Sequence, residues 1–406
     1  MATLNLSDFE PVLKIDYLDM VNDNSNRTHV FLSRLTRNSE AVGGNFAHLA
    51  ILRRGNPGVG YRGESTTLPA PNFSKHTKAT YAMKTLYGRG KISGQTTRAA
   101  IKGSTVAFVD ALDAELSSLV EDLPQEHNRM LFGHGTGQLA ICDSTLVDSL
   151  NVPVDSTQYI QVDDVIDIIE IAGGGDSEGL ARTVTGVTTD VSFAVATTAV
   201  TATITTSLIM RAGSRVQEIF GLRNSHSDAD PVSQAGDFGN IDRDTSPFWK
   251  AQVDVDSWNN TRPLTQGQIQ DSLMKSHTGG GGKIDFAICH PDVWITYGNL
   301  LAPGQRFGEL IHTMDGGFES LKMVRTDLTF DKDCENNRIY FCDMRALMLL
   351  EYDDGYQFME ADGSILRYAS SGELDEVVFA MLKDAQFASS ACNRQVLLGG
   401  IEINKS

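Results

Sequence analysis

Cysteine is scarce in this 406-residue chain. Cys142, Cys289, Cys334, Cys342 and Cys392 make an odd count with no CxxC pair, so a closed disulfide framework is excluded and all five are expected reduced and buried. Long apolar runs are also missing: no stretch approaches the roughly 20 residues a spanning helix needs, which makes a membrane protein unexpected. The opening MATLNLSDFEPVLKIDYLD lacks a basic leader followed by an apolar core, so cytoplasmic synthesis is expected. No internal repeat of the solenoid kind appears.

Catalytic patterns are equally thin. Asp237-Phe238-Gly239 matches a kinase tripeptide, but no nucleotide loop, VAIK-like strand or HRD sequence accompanies it. The run Gly279 to Lys283 follows a helical pattern rather than a strand and lacks the GxxxxGK[ST] order, so it reads as a helix stop. His134 in GHGTG mimics an oxyanion-hole motif, yet the chain is read as having no GxSxG elbow to serve it. The nine histidines form no HxxxH or HxH pair, which argues against zinc. Asp163, Asp164 and Asp167 suit calcium chemically, but their alternation with apolar residues reads as the solvated face of a strand. Cys334 and Cys342 are read as bracketing a hairpin turn. No enzyme, cofactor or metal is expected.

What is present is an uneven charge. The net charge is -18 with 41% hydrophobic and 21% charged residues, an ordinary globular composition whose surface should repel DNA. Between Ala41 and Gly103, however, ten basic residues face the single acid Glu64: Arg53, Arg54, Arg62, Lys75, Lys78, Lys84, Arg89 and Lys91, with Arg98 and Lys102 beyond. That segment is +9 and the rest of the chain is therefore -27. Charge alone fits two readings, an arm lying across another acidic copy of the same chain and a nucleic-acid arm.

The pattern of elements is α+β. Residues 1–40 lack a sustained period and read as an N-terminal arm. Residues 41–103 are β-prone pieces punctuated by glycine and proline, read as an extended loop too poor in large apolar residues to pack a core of its own. Val106, Val109, Leu112, Leu116, Leu119, Val120 and Leu123 recur at helical spacing within 104–150, with Ser104 or Thr105 as N-cap, Pro124 as a kink or end, and helix formers resuming to Phe132 before the stop GHGTG. Alternation of Val, Ile and Thr marks a small β unit in 151–214. An irregular ordered loop is expected over 213–261. Then come a helix from Thr265 to His277, a strand from Ile284 to Cys289, and a helix opened by Pro291 and reaching Leu301. Further strands are expected at Lys322 to Phe330 and Arg338 to Tyr352, completing 215–375. Two more, Glu376 to Phe387 and Gln395 to Ile403, fill 376–406.

In this order the motifs resemble the Hong Kong 97-type major capsid proteins of tailed bacteriophages. GVGYRGESTTLP with KISGQTTRAA is similar to their extended loop, and the helix ending in MLFGHGTGQLA to the end of their spine helix. GGKIDFAICHPDVWITYGNLL and IYFCDMRALMLLEYDDGYQFMEADGSILRY resemble their axial-domain strand, helix and following strands. The resemblance implies arm, extended loop, peripheral domain with spine helix, axial domain and, as a departure, the inserted β unit. It implies a non-enzymatic protein assembling as hexamers and pentamers into the icosahedral head around double-stranded DNA, bound without sequence specificity. The expected partners are other copies of the chain, a portal and a decoration protein, and the inserted unit is expected to face outside or to contact a neighbour. No charged helical extension precedes the arm, so a separate scaffolding protein is expected, with assembly in the host cytoplasm and residence in the virion. Inter-subunit contacts are expected from Arg53, Arg54, Arg62, Glu64, Lys75, Lys78, Lys84, Arg89 and Lys91 on the loop, and no covalent cross-link. The alternatives are a nanocompartment shell of the same fold and a nucleic-acid-binding protein using 53–102.

Overall fold

Alternation in FAHLAILRR and KHTKATYA places Ala47, Ile51, Ala79 and Tyr81 on one face, and all four are buried. These strands, β1 (Phe46–Arg54) and β2 (Lys75–Ala82), pair antiparallel from Phe46↔Ala82 to Arg54↔Lys75. The structure, a computed structural model, describes residues 29–64, 66–93, 105–144, 146–170, 177–196, 200–202, 207–230, 237–255, 261–301, 311–313, 319–323, 326–353, 355–360, 365, 367–368 and 376–403. Most of the expected N-terminal arm therefore lies outside the described residues, as do Arg98, Lys102 and the Ser104 cap.

Strand β3 (Lys84–Ser93) leads toward the long helix α1 (Thr105–Phe132), which runs 28 residues with Pro124 inside it. The proline neither ends the helix nor starts a new one; Leu116, Val120 and Leu123 before it and Met130 to Phe132 after it are buried on the protein side. Packing on both sides offsets the lost backbone bond. Gly135 and Gly137, at φ of 80° and 90°, turn the chain out of the helix as the GHGTG stop requires.

The β unit consists of β4 (Gln138–Ile141), β5 (Val165–Glu170), β6 (Ser177–Thr188), β7 (Ser192–Val195) and β8 (Ser207–Arg211), ordered β4-β8-β5-β6-β7 with Asn151–Pro153 at the edge. Its own core holds Ile166, Ile168, Val184, Phe193 and Ile209. The unit thus reaches back to residue 138, before the boundary expected at 151. Asp167 is not on a solvated face: it is buried, and its carboxylate accepts from the Ala181 and Gly213 amides at 2.7 and 2.9 Å. Asp163 and Asp164 lie in the turn before β5.

After an irregular but ordered stretch come α2 (Gln266–Gly280), β9 (Phe286–Cys289), α3 (Pro291–Leu301), β10 (Thr326–Phe330) and β11 (Arg338–Cys342). Thr265 caps α2 in a reciprocal box with Gln268, and Gly281 closes it at φ 62°. The expected strand from Lys322 is two antiparallel strands, Glu319–Met323 and β10. The expected strand Arg338 to Tyr352 is also two, β11 and β12 (Leu347–Glu351), which lie in different sheets. Strands β10 and β11 flank β9 rather than forming a hairpin, which corrects the reading of Cys334 and Cys342. All five cysteines are free and buried.

The last strands divide between the two main sheets. Strand β13 (Glu376–Ser389) pairs with β3 and β12, whereas β14 (Val396–Gly399) pairs with β11 and with Gln252–Asp254. One large core, with Phe31, Phe132, Phe238, Trp249, Phe286 and Phe387 among its members, joins the hairpin base, the end of α1 and both sheets. Gly221 lies against the helix terminus: a Cβ there would strike the Leu131 and Gly133 carbonyls. Gly221→Ala is expected to cost about 1–3 kcal/mol of stability by overpacking backbone that has little room to move. Urea denaturation of the variant beside the parent checks this.

Candidate inter-subunit interface

The hairpin β1–β2 is held firmly at one end. Tyr81 donates its hydroxyl to the Ser389 carbonyl at 3.1 Å and meets the Phe238 ring edge-on at 5.3 Å. Phe238 stacks on Trp249, whose indole N–H donates to the Phe238 carbonyl at 2.8 Å. Gly239, at φ 70°, brings backbone against Tyr81 where a side chain would crowd the ring. The kinase-like tripeptide is thus the hairpin's anchor.

Beyond Ile51 and Ala79 no described residue of the hairpin is fully buried. The connecting segment 55–74 carries Val59, Tyr61, Leu68 and Phe73 exposed, Tyr61 at 102% and Val59 at 86%. Its hydrogen bonds among the described residues are local: Gly58 donates to the Asn56 side chain, Arg62 to the Tyr61 carbonyl, and Thr66 to the Gly63 carbonyl. Apolar side chains held in water on an anchored stalk have a latent burial energy of about 25 cal/mol per Å². Sequence reasoning singled out the charges here and missed these apolar residues, because no period marks them. Their occurrence in a segment rich in glycine and proline was the available signal.

The expected contact residues fall into separate places. Arg53 and Arg54 end β1, Arg62 and Glu64 are on the tip, and Lys75 and Lys78 are on β2; all are exposed. The Arg53 guanidinium sits 5.6 Å from the Phe248 ring centre, where the hairpin leaves the body. Lys84 is turned inward: its ammonium donates to the Val216 carbonyl at 2.8 Å, and burial lowers its pKa. Arg89 and Lys91 are exposed on β3, Lys91 within 3.7 Å of Glu376.

Strand β3 corrects the idea that 41–103 cannot pack. It pairs with β13 over ten residues, from Lys84↔Ala385 to Ser93↔Glu376. Gly88 faces Leu119 and Leu123 of α1, and a Cβ on Gly90 would enter the Phe379 ring. These glycines permit close approach of strand, helix and sheet; as punctuation they were misread. Among the described residues of 41–103, the hairpin beyond Ile51 and Ala79 is the part without buried support.

A second polar group lies at the junction of α1, the β unit and the α/β lobe. The Asn128 amide donates to Asp331 at 3.1 Å and to Asp333 at 2.8 Å, and Tyr159 donates to Asp333 at 3.0 Å. Burial, with the neighbouring Asp333 charge adding to it, raises the pKa of Asp331 to about 6. A carboxyl raised in the folded state stabilises below its unfolded value near 3.8, and that stability is lost as pH rises through 6. Asp331→Asn, which keeps an acceptor without the charge, is expected to be more stable than the parent above pH 7. The difference is expected to shrink below pH 4. Denaturant melts from pH 4 to 8 measure it, and parallel curves would contradict it.

Other candidates for chemistry do not assemble. Gly175 to Gly179 does match GxSxG, correcting the expectation that none exists, but Ser177 opens β6 between antiparallel strands, not a strand-to-helix elbow. His134 lines a cleft of about 820 Å³ with Arg129, Glu218, Arg223 and Glu335. Arg129 pairs with Glu126 and Glu218, and Arg223 with Glu335, so these charges are neutralised in place. Among the described residues no helix is long and apolar enough to cross a membrane.

No family model matches the sequence, and no curated protein is similar to it. Solved structures do match. The capsid asymmetric unit of cyanophage A-1(L) superposes with a TM-score of 0.52 at 11% identity, covering 91% of this chain and 92% of that one. The chain has the Hong Kong 97-type capsid fold. Also similar are the holo-SrpI encapsulin complex of Synechococcus elongatus (TM-score 0.48, 9% identity, 100% of this chain and 98% of that one) and the capsid of myovirus phage XM1 (0.46, 10%, 92% and 91%).

Proposed function

We propose that this chain is the major capsid protein of a tailed bacteriophage, assembling as hexamers and pentamers into a closed head around double-stranded DNA. It acts as a building block and turns over no substrate. The observation that carries the reading is the extended loop: a rigidly anchored hairpin whose distal part holds apolar and cationic side chains that are exposed among the described residues. Such a device works when another copy supplies the surface. Each exposed ion pair contributes about 0–1 kcal/mol, so apolar burial repeated over many copies must supply most of the shell's stability. The net charge of -18 suits a container whose wall does not bind the packaged polyanion.

A separate scaffolding protein, a portal and a decoration protein on the β unit complete the proposed assembly, which forms in the bacterial cytoplasm. Negative-stain microscopy tests the reading, on the chain expressed alone and again with its scaffolding protein. Closed particles of uniform diameter are expected, with nuclease-resistant DNA in those recovered from phage. A monomer under both conditions would overturn it, and particles filled with protein cargo would indicate a nanocompartment instead.

A further inference from the structure

The exposed large apolar residues of the described chain concentrate in two places. One is the hairpin and its tip. The other is the β unit, where Leu150, Val162, Val165, Leu180 and Val191 are each about half exposed. Strand pairing places Leu150 and Val162 at one level of this sheet: the Val195 amide donates to the Leu150 carbonyl, Val195 pairs with Val184, and the Asp163 amide donates to the Val184 carbonyl. Three strand spacings, about 15 Å, therefore separate Leu150 from Val162, and Val165, paired with Thr183, lies on the other face of the sheet.

The two places carry opposite charge. Residues 46–82 contain five basic residues and one acid, Glu64, whereas residues 146–211 contain nine acids and two arginines. Asp163 and Asp190 are exposed beside Val162 and Val191. The tip of one copy and the β unit of another thus match in both apolar character and charge, the combination that selects a register and steers encounter.

We infer that the hairpin tip of each copy docks on the β unit of a neighbouring copy, Tyr61 and Val59 meeting Leu150 and Val162 while Arg53, Arg54 and Arg62 face Asp163 and Asp190. The inference rests on the shell reading and names the acceptor surface within it. The inserted unit is then the receiving half of the contact.

Two coexpressed variants test this, Tyr61→Cys in one chain and Val162→Cys in the other. The five native cysteines are buried, so oxidation of assembled particles reports the introduced pair. Mixed dimers carrying one chain of each variant are expected. Intact particles in which only like variants join, or none do, would overturn the docking while leaving the shell reading in place. Absence of particles from the parent chain would overturn both. A second measurement guards against misfolding: Asp163→Asn with Asp190→Asn suits the positive φ at both positions. It is expected to raise the concentration at which particles appear by about tenfold. An unchanged threshold, or a tip that binds DNA in a salt-sensitive way while particles form normally, would count against the proposal.

Discussion

Replacing Arg53, Arg54 and Arg62 with glutamate is expected to leave a folded chain that no longer closes into shells. All three side chains are exposed, and surface substitutions of this kind change folding stability by about 0.5 kcal/mol or less each. Assembly is different. The reversal takes residues 46–82 from five basic residues and one acid to two basic residues and four acids, +4 to -2, so a contact that joined opposite charges becomes repulsive at every copy. A loss of tenfold in association at each contact, about 1.4 kcal/mol, is multiplied around a closed particle. Sedimentation and electron microscopy read the assembly, and circular dichroism reads the fold. Normal particles from the triple variant would mean that charge on the loop is incidental. Partial rescue by high salt is expected, because screening weakens exposed repulsion more than apolar contact.

The second large effect concerns folding. Glu351 of β12 and Lys383 of β13 are both almost fully buried and pair at 2.9 Å, with Arg37 3.9 Å from the same carboxylate. The Lys383 ammonium also lies 4.8 Å from the centre of the Tyr356 ring. Lys383→Met removes the nearer cation and leaves a carboxylate in an apolar sheet, at an expected cost of about 3–5 kcal/mol. Because β13 also carries β3, the loss reaches the strand that precedes α1. Combining Lys383→Met with Glu351→Leu removes the stranded charge and is expected to restore most of the stability. Chemical denaturation of the parent, both single variants and the double variant completes the cycle, and additive losses would show that the two residues are independent.

How far these features were legible depends on what each residue faces. Helix α1 was visible from Val106 to Leu123 because its apolar spacing is a local property of one element. Helix α3 was marked at its start by Pro291, whereas the helix expected from Thr265 begins one residue later with Thr265 as its cap. The split of Arg338 to Tyr352 into two sheets was not visible, since both halves are apolar and the turn at Met344–Ala346 carries no glycine or proline. Gly88 and Gly90 were misread for the opposite reason. Glycine marks a turn and a close backbone approach alike, and only the positions of Leu119, Leu123 and Phe379 tell them apart.

At the loop, the concentration of basic residues was plain, but their division was not. Lys84 looks like its neighbours in sequence and yet is bound to the Val216 carbonyl, because it starts a strand that pairs with β13. Tyr61, Val59, Leu68 and Phe73 carry no periodic signal, only their place in a segment rich in glycine and proline, and their exposure is plain once the hairpin is seen to leave the body. The exposure of Leu150, Val162, Asp163 and Asp190 on the β unit likewise emerges only from the structure.

Hydrogen exchange across residues 55–74, compared between dissociated chain and intact particles, bears most directly on the claim that this tip finds its partner on another copy. Rapid exchange in the dissociated chain and strong protection in the particle are the expected results. Equal protection in both states would mean that the tip is satisfied within its own subunit, and the assembly reading built on it would be wrong.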